Sequence, residues 1–338
     1  MNASPTDEPG KSATGPDPST TTASTGRTIP RRRRVRLITG WLALLAGVLA
    51  AGLLLEAALI RHDQEVLPVP GRLVHTSERT WRLDCTGEGE LTVILEAGLG
   101  ESGLTWSGIQ PALSRTTRVC SYDRAGYGWS DPGVGSRDAV TEAADLNGLL
   151  QTAGVRGPYI MVGHSLGSFI ARLYAARYPD EVAGLVLVDP TNENSALQAG
   201  EPRIPALLTR GRALISRFGL LRPFISGLVA DQVGENPPEA VTRDAPFLYR
   251  ASALDTNNSE LSASLDGANQ VTGQPLTDRS LPAVVLLTTD SVGDTGHFQT
   301  LTKDTRVIDA GQSSHYVHYS HPDLVLTIIS EVLTGVRN

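Results

Sequence analysis

A serine set between two glycines, in Gly163-His164-Ser165-Leu166-Gly167, is the residue of this chain whose neighbours best equip it to act as a nucleophile. The apolar run Tyr159-Ile-Met-Val162 before it reads as a buried strand, and Leu166, Ile170, Leu173 and Tyr174 after it fall on one helix face. A sharp strand-to-helix turn strains the residue at its centre, and neighbours without side chains let the chain double back there. The hydroxyl is then exposed at the carboxyl edge of a sheet. A serine hydroxyl is a weak nucleophile at neutral pH and needs a base, itself oriented by a third group. The chemistry implied is acyl transfer, with a histidine and a carboxylate supplied from elsewhere in the chain.

Three further stretches, Leu95-Glu-Ala-Gly-Leu-Gly100, Tyr122-Asp-Arg-Ala-Gly-Tyr-Gly-Trp-Ser-Asp131 and Leu185-Val-Leu-Val-Asp-Pro190, join the Ser165 turn in a pattern. From Pro70 to the C-terminus the chain resembles the α/β-hydrolases of the esterase, lipase and peroxidase-like group, specifically their membrane-anchored actinobacterial members. The resemblance implies an oxyanion hole made by the backbone N–H groups of Leu99 and Leu166, where losing one donor costs roughly 3–4 kcal/mol in known cases. It also implies the chain order nucleophile, acid, histidine, with the histidine after the last strand, which leaves His315, His318 and His321 of the seven present. Ser313-Ser-His-Tyr316 matches the family's Ser-Gly-His-Tyr run except that Ser314 replaces the glycine, and so designates His315. The implied acid is Asp189, at the end of the sixth strand. Asp290, near the end of the next strand, is the alternative acid, and Asp294 a third candidate. Both acid sites depart from the pattern: Asp189-Pro-Thr-Asn192 replaces the usual Asp-x-Ser-His, and the usual Gly-x-x-Asp is missing around Asp290.

Other reactive side chains receive plainer roles. His318 lines the pocket or packs, His321 opens the final helix, and His164 packs inside the turn. Asp123, Arg124 and Asp131 stabilise a Gly-rich turn, and Trp106 and Trp129 line the pocket or pack. No Cys/His spacing suggests a metal, no Gly-rich phosphate loop is present, and no cofactor is expected.

Positioning these residues requires a sheet. Short apolar runs alternate with helical patterns from Gly71 onward, the signature of an α/β fold with a mostly parallel sheet. Strands are expected at 72–75, 79–85, 91–95, 118–122, 159–162, 184–188, 283–287 and 305–309, the first two as an antiparallel hairpin turned at Ser77-Glu78. Helices are expected near 105–115, 137–153, 166–177 and 322–333. With the resemblance, the expectation is an α/β-hydrolase fold: eight strands, helices on both faces and a helical lid. The lid is read into residues 191–280, which lack a convincing buried strand and contain amphipathic stretches at 204–218, 220–233 and 246–258. Its Leu214, Ile215, Phe218, Leu220, Leu221, Phe224, Ile225 and Leu228 point to an apolar acyl or alkyl group on the substrate.

Charge and hydropathy bound the setting. The net charge is −7, and because residues 1–36 hold seven Lys/Arg against three acids, residues 37–338 carry −11. An acidic body argues against nucleic acid as a partner. Leu37–Ile60 is a 24-residue stretch whose one ionisable residue is Glu56, and about 20 apolar residues suffice for a transmembrane helix. The preceding arginines favour a cytoplasmic N-terminus and an extracytoplasmic catalytic domain. A signal peptide cleaved near Ala50-Ala51-Gly52 is the competing reading. Glu56 is read as an acid near the outer end that reaches the headgroups. Residues 1–36 read as a disordered basic cytoplasmic tail, and residues 70–338 as the hydrolase domain. Cys85 and Cys120, the sole cysteines, both follow the apolar stretch and are compatible with one disulfide or with two buried thiols.

The expected activity is hydrolysis of an ester-like bond, with Ser165, His315 and Asp189 as triad and a small ester or acyl compound as substrate. An aspartate nucleophile would instead imply dehalogenase or epoxide-hydrolase chemistry. A cofactor-free peroxidase-like or carbon–carbon bond hydrolase uses the same triad. A catalytically silent, membrane-tethered binding protein is the rival from another class. The sequence leaves the oligomeric state open.

Overall fold

The computed structural model describes residues 31–200, 206–234 and 237–337. Of the expected basic tail, residues 1–30 therefore lie outside the described residues.

Helix α1 (Arg31–Val66) is long and apolar enough to cross a membrane, with a mean hydropathy of 2.3 over its most apolar stretch. The expected span, 37–60, lies within it. Its last turns, from Leu49, form one compact unit with the rest of the chain. Arg222 ties them down, with Nε 2.7 Å from Glu56 Oε2 and Nη2 2.8 Å from Asp63 Oδ2. Glu56 is therefore buried against a guanidinium rather than reaching for headgroups.

Eight strands form one sheet: β1 (Arg72–His75), β2 (Thr80–Thr86), β3 (Thr92–Glu96), β4 (Arg118–Tyr122), β5 (Tyr159–His164), β6 (Val182–Val188), β7 (Pro282–Leu287) and β8 (Asp304–Asp309). Their order is β1-β2-β4-β3-β5-β6-β7-β8. The hairpin β1–β2 and the β2–β4 pair are antiparallel, and every later pairing is parallel. Parallel strands covered on both faces read as unbroken apolar runs, and alternate residues of these runs feed two separate cores. Ile94, Met161, Leu185, Leu187, Val285 and Leu287 face one layer, whereas Leu95, Ile160, Val162, Val186, Val188 and Leu286 face the other.

Helices α2 (Ala139–Ala153) and α3 (Gly167–Arg177) cover the first face. Asp138 caps α2 by accepting from Thr141 N, and Gly154 ends it at φ 68°, a left-handed turn that glycine adopts without strain. Between β6 and β7 lies the helical insertion, with α4 (Glu193–Ala199), α5 (Ala206–Ser216), α6 (Ile225–Val233), α7 (Ala251–Ser262) and α8 (Ser264–Gly273). Ala213, Leu221, Val229, Val233, Tyr249 and Leu254 give it an apolar core of its own. The C-terminal helix α9 (Pro322–Arg337) covers the second face with Trp106, Ile109 and Leu113.

Local chemistry explains where elements depart from the sequence reading. The helix expected at 105–115 is two short turns, Gly103–Trp106 and Gln110–Leu113, because Gly108 weakens the middle and Pro111 lacks the N–H to continue it. The helix expected at 246–258 breaks around Tyr249-Arg250 into Ala245–Leu248 and α7. Helix α8 was not foreseen, since Ser-Leu-Asp-Gly-Ala-Asn-Gln-Val-Thr-Gly is a poor helix former. Packing rescues it: a Cβ on its Gly267 would stand 3.2 Å from the Phe169 ring of α3.

One buried cation joins insertion to sheet. Arg124, 2% exposed, uses all five N–H donors: Nη1 on Glu96 Oε1 (2.8 Å) and Ala97 O (2.6 Å), Nη2 on Gly98 O (2.7 Å) and Glu260 Oε2 (3.0 Å), and Nε on Glu260 Oε1 (2.8 Å). The turn that Asp123 and Arg124 open also meets α7, because a Cβ on Gly126 (φ 93°) would lie 1.9 Å from Thr256 Oγ1. Asp123 is buried and accepts from the backbone N–H groups of Gly103 (2.8 Å) and Trp129 (3.0 Å).

Cys85 and Cys120 face each other across the β2–β4 register and are joined as a disulfide with a sequence separation of 35. The enclosed loop carries β3 and the segment from Ala97 to Trp106. Closing a loop of this length stabilises by about 4 kcal/mol through the unfolded chain. Replacing both cysteines by serine should therefore lower the unfolding free energy by about 3–4 kcal/mol in denaturant titration; a loss below about 1 kcal/mol would show that the loop is held by its packing instead.

Candidate active site

Three chain turns at the carboxyl edge of the sheet converge. At the end of β5 the backbone of Ser165 takes φ 50°, held by its N–H on Val188 O (3.1 Å) and its carbonyl on Ser168 N (3.0 Å) and Thr191 N (3.2 Å). The two glycines are required by space. A Cβ on Gly167 would stand 2.3 Å from Ala97 O, and one on Gly163 2.9 Å from Gly167 O.

At the end of β6, Asp189 is also bent to positive φ (41°), with its N–H on Leu286 O at 2.7 Å. Its Oδ1 accepts from Thr288 N and Thr288 Oγ1, each at 3.2 Å, and from the Ser291 hydroxyl. Its Oδ2 lies 2.6 Å from His315 Nδ1. Burial pushes the Asp189 carboxyl up, but the bonds from His315, Ser291 and Thr288 outweigh it and hold the group below its ordinary value. The carboxylate is thus charged at neutral pH.

His315 follows β8, with its Nε2 2.9 Å from Ser165 Oγ. With Nδ1–H donating to Asp189, Nε2 is left to accept the serine hydroxyl. The side chain is half-exposed, so water has access to it. Ser165, Asp189 and His315 are thus brought together. Asp290 is not: it is exposed on the turn after β7, and among the described residues the acid on His315 is Asp189. The β7 end contributes instead through Thr288 and Ser291, which fix the second oxygen of that acid. Leu99 lies beside Ser165 and His315 on the wall of a cavity of about 450 Å³. Among the described residues, neither the Leu99 nor the Leu166 N–H is spent on a backbone acceptor.

The insertion lines this cavity with Arg212, Leu228, Asp231, Gln232, Tyr249 and Asn257. Most of the apolar side chains from which an apolar substrate group was inferred lie elsewhere. Leu214, Ile215, Leu220 and Phe224 are 54%, 39%, 59% and 64% exposed on the outside.

Behind Ser165 and His315 lies a pair the sequence reading missed. His164, fully buried, puts Nε2 3.1 Å from the carbonyl of His315 and Nδ1 3.0 Å from Glu101 Oε1, whose other oxygen accepts Gly98 N at 3.2 Å. Burial disfavours charge on Glu101, yet the imidazolium opposite prevails and brings the carboxyl down to about 2. Burial likewise opposes the His164 charge, and Glu101 overcomes it, raising the histidine above its ordinary value. His318, also buried, packs on the Trp106 ring at 4.6 Å with Nε2 2.9 Å from Thr105 Oγ1. Its own burial and the His164 charge beside it keep it neutral, far below the usual histidine range. Glu101, His164 and His318 are residue types that bind metals, but here Glu101 and His164 are occupied with each other. The available signal was a carboxylate three residues beyond Gly98 in the same loop and a histidine directly before the serine.

A family profile for the alpha/beta hydrolase fold matches residues 92–222. The 2-(acetamidomethylene)succinate hydrolase of Mesorhizobium japonicum is 27% identical over 259 residues, covering 73% of this chain and 89% of that protein. A putative epoxide hydrolase from Pseudomonas aeruginosa superposes with a TM-score of 0.65 at 19% identity, over 80% of this chain and 98% of the other. A thermophilic esterase from Thermogutta terrifontis does so with 0.59 at 19% identity, over 79% and 99%. The chain spans about half or less of the length of the first curated relatives it matches. Sheet order, the profile match and these likenesses together give the chain the α/β-hydrolase fold.

The Glu101–His164 pair sets a pH window. The carboxyl is depressed from 4.5 to about 2, so its contribution to stability is full above pH 4.5 and lost as pH falls toward 2. The histidine is raised from 6.5, so its contribution is full below pH 6.5 and lost as pH rises through its folded value. The difference in Tm between wild type and Glu101→Gln should be widest between these limits and shrink on both sides. A difference that stays flat from pH 3 to 9 would mean that the two side chains are not an ion pair.

Proposed function

We propose that this chain is a serine hydrolase that cleaves an ester-like bond through an acyl-enzyme on Ser165. One observation carries the reading: Ser165 Oγ, His315 and Asp189 form an unbroken line of contacts at 2.9 and 2.6 Å that opens on the cavity. In this scheme His315 Nε2 takes the hydroxyl proton as Ser165 Oγ attacks the carbonyl carbon. Asp189 holds the imidazole tautomer and stabilises the imidazolium that forms. The amides of Leu99 and Leu166 hold the oxyanion. The imidazolium then protonates the departing alcohol, and water repeats the sequence to free the acid. An α/β-hydrolase that opens an epoxide through an aspartate would need a carboxylate where Ser165 stands, which favours acyl transfer.

A cavity of about 450 Å³ suits a small-molecule substrate. Leu228 offers it an apolar contact, while Arg212, Asp231 and Gln232 offer polar ones. Helix α1 serves in this reading as a single-pass anchor with the catalytic body on the extracytoplasmic side.

A fluorophosphonate probe should label the wild type and leave Ser165→Ala unlabelled; persistent labelling of the variant would remove Ser165 from its role. Asp189→Asn should lower kcat on p-nitrophenyl esters by on the order of 10⁴-fold, as expected when the tautomer of the base is lost. Asp290→Asn should leave kcat unchanged. Equal turnover by Asp189→Asn and wild type would give the acid's role to Asp290.

A further inference from the structure

We propose that the outer ridge of the insertion, Leu214, Ile215, Leu220 and Phe224, is a docking surface for the bilayer that holds α1. The proposal rests on the reading of α1 as a membrane anchor. These side chains are too exposed to stabilise the insertion, whose own core is Ala213, Leu221, Val229, Val233, Tyr249 and Leu254. None of them lines the cavity, whose insertion side is Arg212, Leu228, Asp231, Gln232, Tyr249 and Asn257. Large apolar residues left exposed near one another in the chain call for a partner.

The position of the ridge indicates which partner. A Cβ on Gly52 of α1 would stand 3.3 Å from the Phe218 ring and 3.5 Å from the Phe218 carbonyl. Four residues on, Glu56 receives Arg222 at 2.7 Å, and Asp63 receives the same guanidinium at 2.8 Å. The segment 218–222 therefore runs along the last turns of α1. Leu53, Leu54 and Leu55 of these turns are 46%, 73% and 59% exposed, and Glu56 is the first ionisable residue after Arg36. The hydrocarbon boundary on α1 thus falls near Glu56, at the height where the insertion is fastened. Leu220 and Phe224 stand two residues either side of Arg222, and so at that same boundary. An apolar ridge at that level gains by entering the interface, as a surface-lying apolar face does. The insertion then stands between the bilayer and the cavity, and an ester carried in the outer leaflet is the substrate class it would serve.

The native cysteines are paired, so single labels are accessible in the full chain. Leu220→Cys and Phe224→Cys, labelled with an NBD fluorophore in phosphatidylcholine proteoliposomes, should show blue-shifted emission and quenching by lipids carrying a nitroxide high on the acyl chain. Val134→Cys, 84% exposed in a turn of the body, is the reference and should show neither. Protein that floats with the vesicles while the labels at 220 and 224 behave as at 134 overturns the docking surface alone. Blue-shifted labels that lipid nitroxides fail to quench would assign the ridge to a second copy of the chain and overturn it equally. Failure to float with vesicles overturns the anchor and the docking surface together. None of these readouts depends on catalysis by Ser165.

Discussion

The site depends on one backbone constraint, the left-handed turn at Ser165. A non-glycine residue at φ 50° costs about 1–3 kcal/mol, and the fold sustains it only because strands on both sides reach in. The Val188 carbonyl comes from β6 and the Ala97 carbonyl from the loop after β3, the latter so near that Gly167 has no room for a Cβ. The same close approach brings the Leu99 segment and Asp189 to the serine. Asp189 is itself bent to positive φ, so Asp189 and Ser165 occupy neighbouring strained turns on adjacent strands. Loss of either glycine would therefore disturb more than the serine, because the spacing between three strand ends is set there.

Buried charge organises what surrounds that turn. Arg124 would be costly to desolvate alone, and truncating one partner of such a pair costs about 3–5 kcal/mol. Each of its N–H groups is satisfied by β3, by the loop that follows it, or by Glu260 of α7. Glu101 and His164 form a second buried pair, one from that same loop and the other from β5, and the histidine also donates toward the backbone of His315. The loop carrying Leu99 is thus held from two sides by charges that water cannot reach.

Much of this was legible in the sequence, for identifiable reasons. A strand buried on both faces announces itself as an apolar run, so Arg118–Tyr122 was readable to the residue and the inner strands to within two, whereas the exposed edge strand Arg72–His75 was marked by its hairpin turn. The serine turn was legible because its glycines are demanded by space rather than by propensity. Side chains that meet only after folding were not legible. Glu101 and His164 lie 63 residues apart, and nothing local marks them as partners. Glu56 read as a residue reaching the headgroups because Arg222, its partner, lies 166 residues away. Helix α8 was hidden for a related reason, since its stability comes from docking on Phe169 and not from its own residues. The apolar content of the insertion was readable, but not the direction in which it points, because short helices with mixed faces do not reveal which side meets the body.

The contact between Gly126 and Thr256 divides the insertion by how freely it can change over generations. With 1.9 Å between a would-be Cβ and the Thr256 hydroxyl, and Glu260 one turn further on gripping Arg124, α7 is as intolerant of substitution as the sheet. Segment 206–234 is fastened at Arg222, on Glu56 and Asp63 of α1, but its Arg212 and Asp231 stand exposed on the cavity wall. Those two wall positions can therefore change over generations while the serine turn and its buried charges stay untouched.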